Sequence, residues 1–262
     1  MKKLIRRAIY SMGYEIRRSD DKPPLEYRNF IDLLRSTPEN DNELLMFLRF
    51  ACGHAPRSKS QIYQDLFVLQ TLNEKRDGYF VEFGAADGIF LSNSYLLERE
   101  YGWHGIVAEP ARNWLEPIKR NRSCAVETRC VWSKSGETLR FSETAKAEFS
   151  TLSSLVGHDY HDRSNAKEYD VETISLNDLL EQHNAPSKMD YLSIDTEGSE
   201  LQILQALNFD KWSFRTITVE HSHQSERRNR IFSLLSSNGY RRCLAEISAW
   251  DDWYVRLDRE AP

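Results

Sequence analysis

The chain has 262 residues, 40% of them hydrophobic and 29% charged, with a formal net charge of -5. This is the composition of a folded globular chain and excludes wholesale disorder, while the negative balance argues against a nucleic-acid partner. Four cysteines, Cys52, Cys124, Cys130 and Cys243, form no C-x-x-C pair, which argues against a zinc ribbon or a disulfide framework and for a reducing, cytoplasmic setting.

The first eighteen residues, MKKLIRRAIYSMGYEIRR, set six Lys and Arg against one Glu. Leu4, Ile5, Ala8, Ile9 and Met12 recur at helical spacing, without the continuous apolar run of a signal peptide or a bilayer span. The segment reads as a basic amphipathic helix for peripheral contact with an anionic inner membrane face, or as a short helix packed on the domain. Two helices follow, near 26–36 and 41–52, split by STPEND with its stop and cap signals. Residues 1–57 therefore form an N-terminal helical extension, and residues 58–262 the main domain. A further helix spans 60–75, with Ser60 as its cap.

From residue 79 short β-rich runs alternate with helical ones. The runs are YFVEF, GIVAE, AVETRCVW, TLRF, YDVETI, MDYLSID, FRTITVE, YRRCLAEI and DWYVRL. Helices are expected near 91–101, 111–121, 175–183, 198–207 and 224–237. Apolar strands alternating with helices predict an α/β fold with a mainly parallel sheet. The last two runs have no helix between them and predict an antiparallel hairpin. Residues 142–168 lack periodicity and are expected to be a long loop, of the kind that closes over a substrate.

Ligands in such sheets sit beyond the C-terminal strand ends, which draws attention to VEFGAADG. No Lys-Ser/Thr follows Gly88, as a P-loop requires, and Ala86 interrupts the dinucleotide fingerprint. Glu82 and Asp87 would repel a pyrophosphate and suit a cation. Glu109 ends GIVAE and is placed to accept both hydroxyls of a ribose. A ribose without phosphate, beside a positive group, describes S-adenosylmethionine. The competing readings are a turn that serves chain geometry alone and a nicotinamide oxidoreductase, which Ala86 disfavours.

Two more stretches carry chemistry. In IDTEGSE, Asp195 and Glu197 would share a face on a continuing strand; they either position an acceptor and take its proton or cap the next helix. In TVEHSHQ, His221 is the first choice for a base near neutral pH, with His223 beside it. A divalent metal on Asp195, Glu220 and a histidine is not favoured, because one H-x-H without a clear further ligand is weak evidence.

YFVEFGAADGIFLSNSYLLEREYGWHGIVAEP, followed by MDYLSIDTEGSELQILQAL, resembles the FkbM-type S-adenosylmethionine-dependent methyltransferases, over about residues 58–257. The resemblance implies a class I methyltransferase (Rossmann-like) fold: a mostly parallel seven-stranded sheet ending in an antiparallel hairpin. It implies that Glu82, Gly84, Ala85, Asp87 and Gly88 cradle the methionine and ribose, with Asn93 and Ser94 as further contacts. Glu109 would take the ribose hydroxyls, Val131 would flank the adenine, and Asp195 and Glu197 would lie beside the reacting methyl. It also raises Gln64 and Asp65 as cofactor or acceptor contacts. The implied reaction is O-methyl transfer to a glycan, glycolipid or related natural product, so the expected partner is a hydroxylated, saccharide-containing acceptor. The alternative is a non-catalytic scaffold with the same fold at a membrane surface; the joint presence of Glu82, Gly84, Gly88, Glu109 and Asp195 argues against it.

Overall fold

The computed structural model describes residues 42–144, 150–155 and 165–257. The basic segment 1–18 and the helix expected near 26–36 lie outside the described residues. Two helices come first, α1 (Asn42–His54) and α2 (Gln64–Thr71). Then β1 (Tyr79–Phe83), α3 (Tyr95–Tyr101), β2 (His104–Ala108), α4 (Leu115–Asn121) and β3 (Ala125–Glu127) alternate. β4 (Cys130–Trp132), β5 (Thr138–Glu143), β6 (Thr151–Leu152) and β7 (Lys167–Ser175) follow. α5 (Leu176–Gln182), β8 (Lys188–Ile194), α6 (Glu200–Ala206), β9 (Ser213–Glu220), α7 (Ser225–Ser237), β10 (Tyr240–Cys243) and β11 (Asp251–Arg256) complete the described elements.

Seven strands form one sheet in the order β10-β11-β9-β8-β1-β2-β3. This is the class I methyltransferase arrangement expected above. β10 and β11 make the antiparallel hairpin; β11 also runs against β9, so it alone is reversed within the sheet. The central strands are buried on both faces, as parallel strands covered by helices must be. On one face Phe80, Tyr191 and Trp253 pack with Phe47, Leu66 and Phe67 of α1 and α2. α1, assigned from sequence to the extension, thus shares the core of the main domain. On the other face Val81, Phe83, Leu192 and Ile194 pack with Leu179, Leu204 and Leu235 of α5, α6 and α7. Ser175 starts α5 by accepting the Asp178 N–H at 3.1 Å, which satisfies one of the free donors of a helix N-terminus.

A second sheet, in the order β4-β7-β5-β6, is a departure from the sequence reading. The run AVETRCVW is two strands, not one: β3 joins the large sheet and β4 the small one. At the break, Glu127 accepts the N–H groups of Thr128 and Arg129, both at 2.9 Å, and turns the chain. The described part of the expected loop over 142–168 holds β6, a 3-10 turn at Ser153–Leu155 and the first residues of β7. Alternation there is too short to register as periodicity. Among the described residues no helix is long and apolar enough to cross a membrane.

Candidate active site

Register builds the site. Phe83 pairs with both Ala108 and Ile194, and Ile194 with Val219. Four neighbouring strands therefore run level, and Gly84, Glu109 and Asp195, each just past its strand, lie with Glu220, the last residue of β9, along one edge of the sheet. They border a cavity of about 380 Å³, within the size range of small-molecule sites. The small sheet roofs it with Phe141 and Leu152. That sheet is pinned at two points. Glu143 accepts the Arg112 N–H at 2.7 Å and the Tyr169 hydroxyl, and Thr151 Oγ1 donates to the Glu197 carbonyl at 2.8 Å.

The glycine turn is shaped by close approach. Gly84 has φ +76, and a Cβ there would lie 1.8 Å from the Asp195 carbonyl oxygen, so no other residue fits. Ala86 N–H donates to Glu109 Oε2 at 3.0 Å, and Ala111 N–H to Oε1 at 2.9 Å. A carboxylate has about four acceptor positions. Each Glu109 oxygen thus keeps one, which matches the two hydroxyls of a ribose. Burial raises the Glu109 carboxyl to about 8, against the lowering effect of those two N–H groups.

Val131, with Cys130, Phe141 and Leu152, forms an apolar wall near Glu109, as a purine face requires. Four carboxylates line the cavity, Glu109, Asp195, Glu197 and Glu220, and among the described residues no Lys or Arg does. Such a site attracts cations and repels a pyrophosphate. The residues therefore fit S-adenosylmethionine and not a dinucleotide.

Not every expected contact reaches the cavity. Glu82 is buried beneath the turn, where it accepts from the Ser92 hydroxyl at 3.0 Å, the Asn93 N–H at 2.6 Å and the Ser94 hydroxyl, with Arg122 Nη1 at 3.4 Å. Asn93 Nδ2 donates to Ser193 Oγ at 2.9 Å. Asp87 Oδ1 accepts the N–H groups of Ile89 at 2.8 Å and Phe90 at 2.6 Å, fixing the turn. Gly88 packs on Arg122, whose Cγ would meet a Cβ at 2.6 Å. Glu82, Ala85, Asp87, Gly88, Asn93 and Ser94 thus shape the cradle from behind, while Gly84, Ala86, Glu109, Val131 and Asp195 line it. Gln64 Nε2 donates to Asp251 Oδ2 at 2.9 Å, and Asp65 accepts from Ser58 Oγ at 2.6 Å; Gln61 is the neighbour on the cavity.

Asp195 and Glu197 both line the cavity, but through a turn and not through strand alternation. β8 stops at Ile194, Glu197 adopts φ 56 and Gly198 φ 126. Buried Glu200 organises this turn, accepting the N–H groups of Thr196 at 3.1 Å and Gly198 at 2.8 Å. Burial raises the Asp195 carboxyl and, with the added charge of Asp195, raises Glu220 further. His221 is buried away from the cavity lining. Its Nε2 meets the Asp251 carbonyl at 3.1 Å and its Nδ1 accepts the His223 N–H at 3.1 Å, and burial lowers its pKa. His223 is the histidine at the cavity: left-handed φ values of 47 at Ser222 and 58 at His223 turn the chain there. Sequence reading also missed the walls supplied by Leu91, Phe141 and Trp250, which come from distant segments.

The family described as methyltransferase FkbM domain matches residues 82–242, more than half of the chain. None of the curated proteins matches the chain. Among solved structures, precorrin-6y C5,15-methyltransferase from Geobacter metallireducens aligns at 11% identity and TM-score 0.38, covering 69% of this chain and 73% of that one. A fibrillarin/Nop5p complex aligns at 13% identity and TM-score 0.37, covering 75% and 84%.

Proposed function

We propose, since the chain belongs to the FkbM methyltransferase family, that its S-adenosylmethionine-dependent reaction delivers the methyl group to a hydroxyl oxygen of a saccharide-containing acceptor. When bound, S-adenosylmethionine supplies a methyl group activated on a sulfonium. Glu109 holds the ribose through its two remaining acceptor positions, and Gly84 and Ala86 allow close backbone approach. Val131 and its neighbours flank the adenine. Asp195 and Glu197, across β1 from Glu109, favour the cationic end of the cofactor. They also orient the acceptor hydroxyl and take up its proton, which is what displacement by an alcohol needs from the protein.

The observation that carries the reading is the cavity's charge pattern, four carboxylates without a Lys or Arg among the described residues. The saccharide class is supported by the rest of the lining. Gln61, Ser150, Thr196, Ser222 and His223 offer hydrogen bonds, and Trp250 offers an aromatic face. His221, held by backbone on both ring nitrogens, is left out of this machinery, and His223 stands at the mouth in its place.

Calorimetry with S-adenosylmethionine and its demethylated product tests the cofactor site. Incubation with a panel of saccharides, followed by mass spectrometry and NMR of the product, tests the acceptor. A new O–CH3 group on a sugar is expected; methyl found on nitrogen or carbon would refute the hydroxyl assignment.

A further inference from the structure

One oxygen from each of Asp195, Glu197 and Glu220 lies within 4.8 Å of the other two. Ligands of one hard cation stand about 3 Å apart when adjacent and about 4 to 5 Å apart across the ion, so the cluster is near coordination geometry as it stands. The three residues come from the ends of two paired strands, β8 and β9, and from the turn that Glu200 fixes. That is a rigid base for a site.

A second observation points to a ligand. Glu220 is only 9% exposed and lines the cavity, yet its Oε2 has no hydrogen-bond partner. A buried carboxylate oxygen left unsatisfied is costly. Several other buried acids have cations, and Asp251 has the Gln64 amide. Glu82 and Glu98 meet Arg122, Glu200 meets Arg227, and Asp252 meets Arg228 and Arg242. Among the described residues no ion pair reaches Asp195 or Glu220.

We infer that Asp195, Glu197 and Glu220 bind one hard divalent cation, of the Mg2+ or Mn2+ class. Three carboxylate oxygens and no soft donor select that class, and the cavity leaves the remaining positions to water or to acceptor oxygens. The histidine considered from sequence as a third ligand is replaced by Glu197. The inference rests on the proposed reaction only for its role: acceptor orientation by Asp195 and Glu197 would then pass through the ion, which also eases loss of a proton from a coordinated hydroxyl.

The test is direct titration of the full chain with Mn2+ alone, followed by electron paramagnetic resonance and calorimetry, with Mg2+ as competitor. One saturable site is expected, displaced by Mg2+ and weakened about 100-fold or more in Glu220→Gln. The same variant should bind the demethylated cofactor within about threefold of the parent chain, a difference of about 0.65 kcal/mol. Absence of a Mn2+ site in the parent chain, or an unchanged site in Glu220→Gln, would overturn the inference. Thermal unfolding with and without Mn2+ guards against misfolding, since the metal should raise the Tm of the parent chain and leave that of the variant in place. Mn2+ binding without cofactor binding would sustain this site and refute the proposed cofactor cradle; cofactor binding without Mn2+ would do the reverse.

Discussion

Two groups of acids flank the same glycine turn and have opposite fates. Beneath it, Glu82 and Glu98 converge on Arg122, whose side chain is 0% exposed. Ser92, Ser94, Ser123 and backbone N–H groups take up their remaining acceptor positions. Although burial opposes it, Arg122 and Ser123 hold the Glu98 carboxyl below its usual range. Above the turn, Glu109, Asp195 and Glu220 are pushed upward by burial and face a cavity. An acid whose charge is met within the fold is scaffold, whereas an acid whose charge faces a void is waiting for something that arrives from outside.

The sharpest way to break this contrast is Arg122→Met. It leaves two buried carboxylates unpaired and should cost about 3–5 kcal/mol, measured by denaturant unfolding. Adding Glu98→Gln should return part of the loss, and a cost under about 1 kcal/mol would mean that the scaffold acids do not need their cation. Glu109→Ala is the opposite case. Loss of two charge-assisted bonds should weaken cofactor binding about 100-fold, or about 2.7 kcal/mol, with a smaller loss of stability than in Arg122→Met, because only the Ala86 and Ala111 N–H groups are left unpaired.

The third effect is in pH. With its folded carboxyl raised from 4.5 to about 8, Glu109 contributes stability that is full below the lower value and lost as pH rises through the upper one. Cofactor binding has the reverse slope, since ribose hydroxyls donate to the ionised form. Affinity for the demethylated cofactor should rise about tenfold across the two pH units centred on that value, and calorimetry of Glu109→Gln should show no such rise. The smallest expected effect separates the two histidines. His221→Leu strips partners from the Asp251 carbonyl and the His223 N–H and should lower stability by about 1 kcal/mol. His223→Asn should leave stability unchanged and raise the acceptor KM; equal behaviour of the two variants would erase the distinction drawn between them.

The order of helices and strands was legible in the sequence because strand and helix periodicities alternate clearly, and Glu109 was legible because its position after a β-rich run is fixed by the sheet's own logic. What escaped was non-local. Nothing near Glu82 announces that Arg122, 40 residues away, will neutralise it. The pairing of β5 with β7 turns a stretch of polar residues into the roof of a cavity. The strand-face argument for Asp195 and Glu197 assumed that extended backbone continues past the last strand residue, and the first choice of His221 did not foresee the turn that brings His223 to the cavity. Three left-handed residues, Glu197, Ser222 and His223, end that continuation, and for non-glycine residues such conformations are set by the surroundings and not by local preference.

β11 has a consequence for how the protein is made. It is the last of the described strands, yet it lies inside the sheet between β9 and β10. While the chain is still on the ribosome, β9 presents an open edge, a template for misplaced pairing, and Trp250 has not yet reached the cavity wall. β10 pairs with β11 alone, so neither can join the sheet until Asp251–Arg256 has been made. A chain lacking residues 251–256 would carry every acid of the site and leave β9 an open edge beside them, so the frame that holds those acids depends on β11.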